Sequence, residues 1–284
     1  MTTQVNIDAK QVAALREKTG AGMLDCRKAL VEANGDIETA VDILRKKGTA
    51  SAAKKAGRAA NEGVITQAIL AGARTGILVE VNCETDFVAK NDDFLALTAG
   101  WAKTLAENPA ADLEPARVEA VTKIGENIQI RRHARIEVTG NGIVAAYIHL
   151  GGKIGVLLEV GAGRQETVNR DEFKQLVRDI TLHIAAASPV SIRREDVSPA
   201  FAARERAIYA EQTPKDKPAP VIEKIIEGKM SKFFAGVCLL EQAFVKNPEQ
   251  TITQLVAEKA KALGDALEVR RFIRYQVGEE IAGQ

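Results

Sequence analysis

Cysteine is scarce in this chain of 284 residues, with only Cys26, Cys83 and Cys238 present. They lie too far apart for a CxxC pair or a zinc-ligand spacing, and their odd number leaves at least one thiol without a disulfide partner. Reduced cytosolic thiols are the expectation. A surplus of one charge is also missing: Lys+Arg 39 against Asp+Glu 38 leaves a formal net charge of +1. No global positive field is available for coating a polyanion, so direct nucleic-acid binding is not expected. No apolar run approaches the roughly 20 residues of a membrane span. The opening MTTQVNIDAK has no basic region followed by an apolar core, so the expected location is the cytoplasm, away from any membrane.

Catalytic signatures are missing as well. The dipeptide GK occurs at 152–153 and 228–229, but neither is followed by Ser or Thr and neither closes a phosphate-cradling glycine loop. His133, His149 and His183 are the full complement of histidines, with no HExxH and no GxSxG elbow. The chain is expected to be neither a GTPase nor another enzyme, and to hold no cofactor or metal of its own. One thiol pairing, Cys83 with His149, would make an enzyme; shared membership of a sheet explains the same two residues without chemistry.

What is present is an ordinary globular composition, 46% hydrophobic and 27% charged, in a length that fits about two domains at roughly 150 residues each. Residues 1–48 read as a three-helix N-terminal module. Asp8 suits the N-cap of a helix bearing Val12 and Leu15 that stops at Thr19-Gly20. Met23, Cys26 and Leu30 share the face of a second helix ending at Asn34-Gly35, and Asp36 caps a third carrying Ile37, Ala40, Val41 and Leu44 before Gly48. Residues 49–61, with Lys54, Lys55 and Arg58, form a small, basic stretch that reads as a linker or solvated helix.

From Gly63 the pattern alternates with period two, and the chain repeats itself at an offset of 79 residues. Gly63, Ile69, Gly72, Gly76, Leu78, Glu80 and Val81 recur as Gly142, Ile148, Gly151, Gly155, Leu157, Glu159 and Val160. Each copy reads as a strand, a glycine turn and a second strand. The same offset aligns a helical face, Phe94, Leu97, Trp101 and Leu105 with Phe173, Leu176, Ile180 and Ile184, which makes Trp101 a core residue. Residues 115–129 read as a helix-like connection. The breaker TPKDKPAP splits two apolar helical segments into a hairpin at about 199–235, and LEVRRFIRYQV at 267–277 reads as a strand. The predicted fold is α+β: the N-terminal module, core subdomains at 62–140 and 141–284 with antiparallel sheet, and the hairpin inserted in the second.

The two copies differ most between hairpin and helix. Thr85-Asp86-Phe87-Val88-Ala89-Lys90-Asn91 stands where the second copy has Arg164-Gln165-Glu166-Thr167-Val168-Asn169-Arg170. If Asn91 or Asp92 caps the following helix, Phe87 lies on a surface loop, where an aromatic beside a carboxylate suits a partner-binding wedge. If Thr85 is the cap of one longer helix, Phe87 packs in the core seven residues before Phe94 and Asp86 is a favourable first-turn acid.

Five stretches, TGAGMLDCRKAL at 19–30, ETDFVAKN at 84–91, KIGENIQIRR at 123–132, HIAAASP at 183–189 and FIRYQVGE at 272–279, together resemble bacterial elongation factor Ts. The resemblance covers nearly the whole chain. It implies a guanine-nucleotide exchange factor for the GTPase elongation factor Tu, with two related core subdomains. GDP, GTP and magnesium would belong to the partner. By motif match, Asp86 and Phe87 correspond to an intruding pair that disturbs the partner's magnesium and phosphate site, in a loop shaped by Thr85, Val88, Lys90 and Asn91. Arg16, Met23 and Leu24 match an N-terminal grip on the GTPase domain, with leucine where a second methionine is common. His149 matches a strand-end contact to another partner domain. Some family members continue past FIRYQVGE into a further helix, so exchange here is expected to depend more on the core and the N-terminal module; no homo-oligomer is assigned.

The alternative is an RNA- or ribosome-binding accessory protein, using Lys54, Lys55, Arg58, Arg131, Arg132, Arg135, Arg270, Arg271 and Arg274. Solvated sheet and linker faces are the preferred account of these bases, since no paired aromatic stacking motif accompanies them.

Overall fold

The structure, a computed structural model, describes residues 7–214 and 216–281; the opening MTTQVN, part of the leader reading, lies outside the described residues. Three helices come first, α1 (Ala9–Thr19), α2 (Met23–Glu32) and α3 (Ile37–Lys55). Asp8 caps α1 in a capping box with Gln11, and the Asp36 carboxylate accepts the Thr39 N–H at 2.7 Å at the start of α3. Their shared core is Val12, Leu15, Cys26, Ala29, Leu30, Ala40 and Leu44. Two sequence expectations fail here. Met23 does not join Cys26 and Leu30 in that core but is exposed. And α3 does not stop at Gly48: it runs seven residues further, to Lys55, with Gly48 and Ala52 buried. A Cβ on Gly48 would stand 2.6 Å from the Thr122 hydroxyl, so this glycine serves helix packing rather than termination.

The first copy of the repeat follows as β1 (Glu62–Ile69), β2 (Thr75–Cys83), the single turn α4 (Asp86–Ala89), α5 (Asp92–Glu107), α6 (Glu114–Ile124) and β3 (Gln129–Glu137). The second copy is β4 (Gly142–His149), β5 (Ile154–Ala162), α7 (Gln165–Asn169) and α8 (Asp171–Ala187). It then inserts α9 (Pro199–Glu211), α10 (Ala219–Val237), β6 (Ala243–Phe244) and β7 (Asn247–Thr251) before α11 (Ile252–Leu263) and β8 (Leu267–Gln276) close it. The sheets have matching orders, β1-β2-β3 and β4-β5-β8, and the second is antiparallel throughout, with Gly142 opposite Gly161 and Glu159 opposite Arg271. The fold is α+β.

The chain forms two compact units whose borders differ from the expected 62–140 and 141–284. One holds the described residues of Met1–Thr66, Val79–His133 and Val277–Gln284; the other holds Gln67–Leu78 and Ala134–Gln276. In the latter, the tip of the first hairpin joins the second copy because Gly76 has no side chain: the space a Cβ would take is filled by Val144 and Leu157. Arg74 donates to Val138 O at 2.8 Å and to Gly140 O at 2.9 Å. In the former, the segment after β8 is held by a buried carboxylate. Glu80 Oε1 accepts from the Gly278 N–H at 3.0 Å and from Arg131 at 3.0 Å, while Oε2 accepts from Arg132 at 2.6 Å.

Glu159 repeats this device in its own unit, bound by Arg270 at 3.2 Å and Arg271 at 2.6 Å. Neighbouring residues on a regular strand point to opposite faces, so two consecutive arginines could not ordinarily reach one carboxylate. A β-bulge opposite Glu159/Val160 leaves Arg270 without a partner position and re-aims it. Gly161 clears the way, since a Cβ there would lie 2.3 Å from the Arg270 guanidinium. Arg131, Arg132 and Arg270 are thus claimed by buried glutamates and are not the solvated bases the sequence suggested; Arg271 is paired as well but keeps half of its side-chain surface in water.

The helical hairpin forms as expected, with Phe201 edge-on to Phe233 at 5.3 Å and an Arg206–Glu223 ion pair joining α9 to α10. Its base is tied to α8 by His183, which is fully buried. The Val245 N–H donates to Nδ1 at 3.3 Å, which leaves Nε2–H facing Gln242 Oε1 at 2.9 Å. Burial pushes this imidazole below its ordinary pKa, against the opposing influence of Gln242. Above pH of about 6.5 the neutral ring is present folded and unfolded alike. As pH falls below that value the unfolded chain binds a proton the folded chain resists, so stability falls. Urea midpoints measured between pH 7.5 and 5.5 should fall more in the parent than in His183→Gln, and equal falls would refute this assignment.

Candidate partner-binding loop

Both helix starts foreseen for residues 85–94 exist, which is why neither simple reading of the loop was complete. Thr85 caps α4, its hydroxyl accepting the Val88 N–H at 3.3 Å. The helix lasts one turn. Asn91 then caps α5 afresh, Oδ1 accepting the Phe94 N–H at 3.2 Å. A break at Lys90-Asn91 means that Phe87 and Phe94 do not share a face: Phe94 is fully buried, and Phe87 is 83% exposed. Within α4, Ala89 faces inward. The single helix running from Thr85 with Phe87 in the core is excluded. In the second copy Thr167 and Val168 of α7 are buried and no aromatic stands out.

Asp86 is in the first turn of α4 and pairs with Lys90 at 2.7 Å. A hydrogen bond to Asp86, reinforced by its charge, raises the Lys90 pKa. An ion pair this open to solvent contributes little to stability, so exchanging it for contact with another charged surface costs the fold little. Beside the loop, Val88, Phe94, Leu97, Ala120 and Ile124 line a groove of about 590 Å³ between α5 and α6. Leu97 is accordingly only half-buried, unlike its repeat equivalent Leu176.

Sequence reasoning missed what holds this turn. The Glu126 carboxylate, just beyond the left-handed Gly125 that ends α6, accepts the backbone N–H groups of Glu84 and Thr85, each at 3.0 Å, and the Thr85 hydroxyl at 2.6 Å. In return, Glu84 accepts the Asn127 N–H at 2.6 Å. The two segments clasp each other reciprocally. A signal was available in KIGENIQIRR, where a glycine after a helical stretch is followed by an acid, but nothing in the sequence paired it with residues some forty positions earlier.

The other candidates lie elsewhere. Arg16 on α1 and Met23 and Leu24 on α2 are exposed, Leu24 at 71%; Leu24 and Val31 line a shallow hollow with Arg27, Lys28 and Glu32. His149 ends β4 in the other unit, its ring stacked on Tyr147 at 5.7 Å and its Nδ1 at 3.1 Å from the Tyr147 hydroxyl. Leu150 beside it is exposed at a left-handed φ of 50°. The Cys83 thiol is buried and donates to Thr85 O at 3.2 Å, so Cys83 and His149 each engage a near neighbour. Arg58 pairs with Glu84 and Arg135 with Glu137. Among the described residues, no helix is long and apolar enough to cross a membrane.

Residues 84–279 match the family model described as Elongation factor TS. Proteins named Elongation factor Ts are similar over nearly the full chain. The one from Trichlorobacter lovleyi is 44% identical, covering 96% of this chain and 93% of its own. That from Symbiobacterium thermophilum is 46% identical over 97% and 93%, and that from Nitratidesulfovibrio vulgaris is 40% identical over 98% of each.

Proposed function

The chain belongs to the elongation factor Ts family, and from that premise we propose that it acts in the cytoplasm as the exchange factor of elongation factor Tu, inserting Asp86 and Phe87 beside the partner's magnesium and phosphate site. The observation that carries this reading is Phe87, a large apolar side chain held in water on a turn clasped by Glu126. An aromatic in that position has nothing to do for its own fold and suits a pocket on a partner. The chain performs no covalent chemistry and carries no nucleotide or metal. Exchange is a linkage effect: a factor that binds the nucleotide-free GTPase more tightly than the GDP form must weaken GDP by the same ratio. Magnesium neutralises phosphate charge, so displacing its protein and water ligands loosens the nucleotide. Met23, Leu24 and Arg16 supply a second grip and His149 a third.

The RNA-binding alternative loses its main support, since the basic pairs on β3 and β8 are bound to Glu80 and Glu159. Stopped-flow release of labelled GDP from elongation factor Tu tests the proposal. Release should accelerate with increasing concentration of this chain and then saturate; an unchanged trace at saturating protein rejects it.

A further inference from the structure

We propose that Glu126 is a positioning residue for exchange, acting through Phe87; the inference rests on the wedge reading above. One carboxylate accepts three hydrogen bonds from two consecutive residues of the loop, the Glu84 and Thr85 amides and the Thr85 hydroxyl. The same hydroxyl accepts the Val88 N–H and so starts the turn that carries Phe87. Position and helix start thus depend on one side chain. Asn127, fully buried, secures the base of this carboxylate's segment by donating to Arg58 O at 2.8 Å.

The second copy separates frame from function. Gly264 ends α11 in the left-handed conformation as Gly125 ends α6, and Asp265 follows as Glu126 does. Asp265 accepts the N–H of Arg164, the residue equivalent to Thr85, at 2.9 Å. A carboxylate anchor for this turn is therefore a property of the duplicated frame. Asp265 bonds the side chain of Thr167, inside its turn; the first copy has instead a longer acid that reaches the hydroxyl of the capping residue Thr85, and an exposed aromatic two residues beyond that cap. A wedge has to keep its shape while prying, and a turn of four residues has too few internal bonds to do so alone.

The test is a double-mutant cycle between Glu126 and Phe87, read as the GDP release rate from elongation factor Tu at saturating factor. Glu126→Ala should slow release about tenfold or more, the scale on which displaced positioning groups act. In a Phe87→Ala background it should slow release no further, because its effect passes through the ring. Glu126→Gln should stay within about threefold of the parent: its carbonyl can accept both amides and its NH2 can donate to the Thr85 hydroxyl oxygen. If Glu126→Ala does not fold, Thr85→Val, which keeps both amide bonds to Glu126 but removes the hydroxyl's bond to that carboxylate and its cap on the Val88 N–H, replaces it in the cycle with the same expected non-additivity. Slowing by the same factor in both backgrounds, or no slowing while Phe87→Ala is impaired, overturns the inference and leaves the wedge standing. An unimpaired Phe87→Ala overturns both.

Discussion

Replacing Asp86 and Phe87 together by alanine is expected to slow maximal GDP release from elongation factor Tu about 30-fold to 1000-fold, with little change in the melting temperature. The kinetic range follows from the about 2–4 kcal/mol that a central aromatic anchor contributes at an interface, at about 1.4 kcal/mol per tenfold. The absence of a folding effect follows from exposure. Phe87 is the most exposed large apolar side chain in the described structure and Asp86 is bonded to exposed Lys90, so the fold loses no core packing. Stopped-flow release with the double variant, beside a thermal melt of the same sample, separates the two quantities. Full stimulation by a folded double variant would remove the wedge from the mechanism.

The parts of this molecule that were legible in its sequence are those encoded by short-range pattern. The spacing of Phe94, Leu97, Trp101 and Leu105 placed α5, and the caps Asp8 and Asp36 placed two starts. The offset of 79 residues placed both hairpins and implied that β4 and β5 would copy β1 and β2. Less legible were features in which one residue serves a distant one. Gly48 read as a helix stop because its partner Thr122 is far along the chain. Arg131-Arg132 and Arg270-Arg271 read as solvated bases because the glutamates that bind them, Glu80 and Glu159, lie far along the chain, and because in the second pair a bulge, invisible in residue types, turns Arg270 toward the carboxylate that Arg271 already faces. The clasp of Glu126 on Thr85 belongs to the same class. Even the repeat, read only through its hairpins and helical face, stopped short: the spacing from Gly125 to Arg131 equals that from Gly264 to Arg270, so α6 and β3 have their own copies in α11 and β8, separated from the rest by the inserted hairpin.

That extended repeat sets up a ranking of stability. Glu80→Ala should destabilise its unit by about 3–5 kcal/mol, the range for removing one partner of a buried ion pair and leaving the other charge uncompensated. Glu80 is fully buried, and the arginines it neutralises, Arg131 and Arg132, keep only 25% and 16% of their side-chain surface in water. Glu159→Ala should cost less although the geometry is copied, because Arg271 is half exposed and recovers hydration once its partner is gone. Both arginines of the second copy also retain backbone acceptors, Thr139 O for Arg270 at 2.5 Å and Glu137 O for Arg271 at 2.6 Å. In the first copy Arg131 keeps Glu279 O at 2.5 Å and Arg132 keeps the Glu279 carboxylate at 2.6 Å. Those acceptors lie on the segment that Glu80 itself holds through Gly278, so removing Glu80 loosens them too. Urea unfolding of the two variants should therefore give a lower midpoint for Glu80→Ala than for Glu159→Ala, and the Gly278 amide should lose its protection from hydrogen exchange in the former alone. Equal midpoints would mean that solvent access to the arginines does not set the cost, and a protected Gly278 in Glu80→Ala would show that the carboxylate is not what holds the segment after β8.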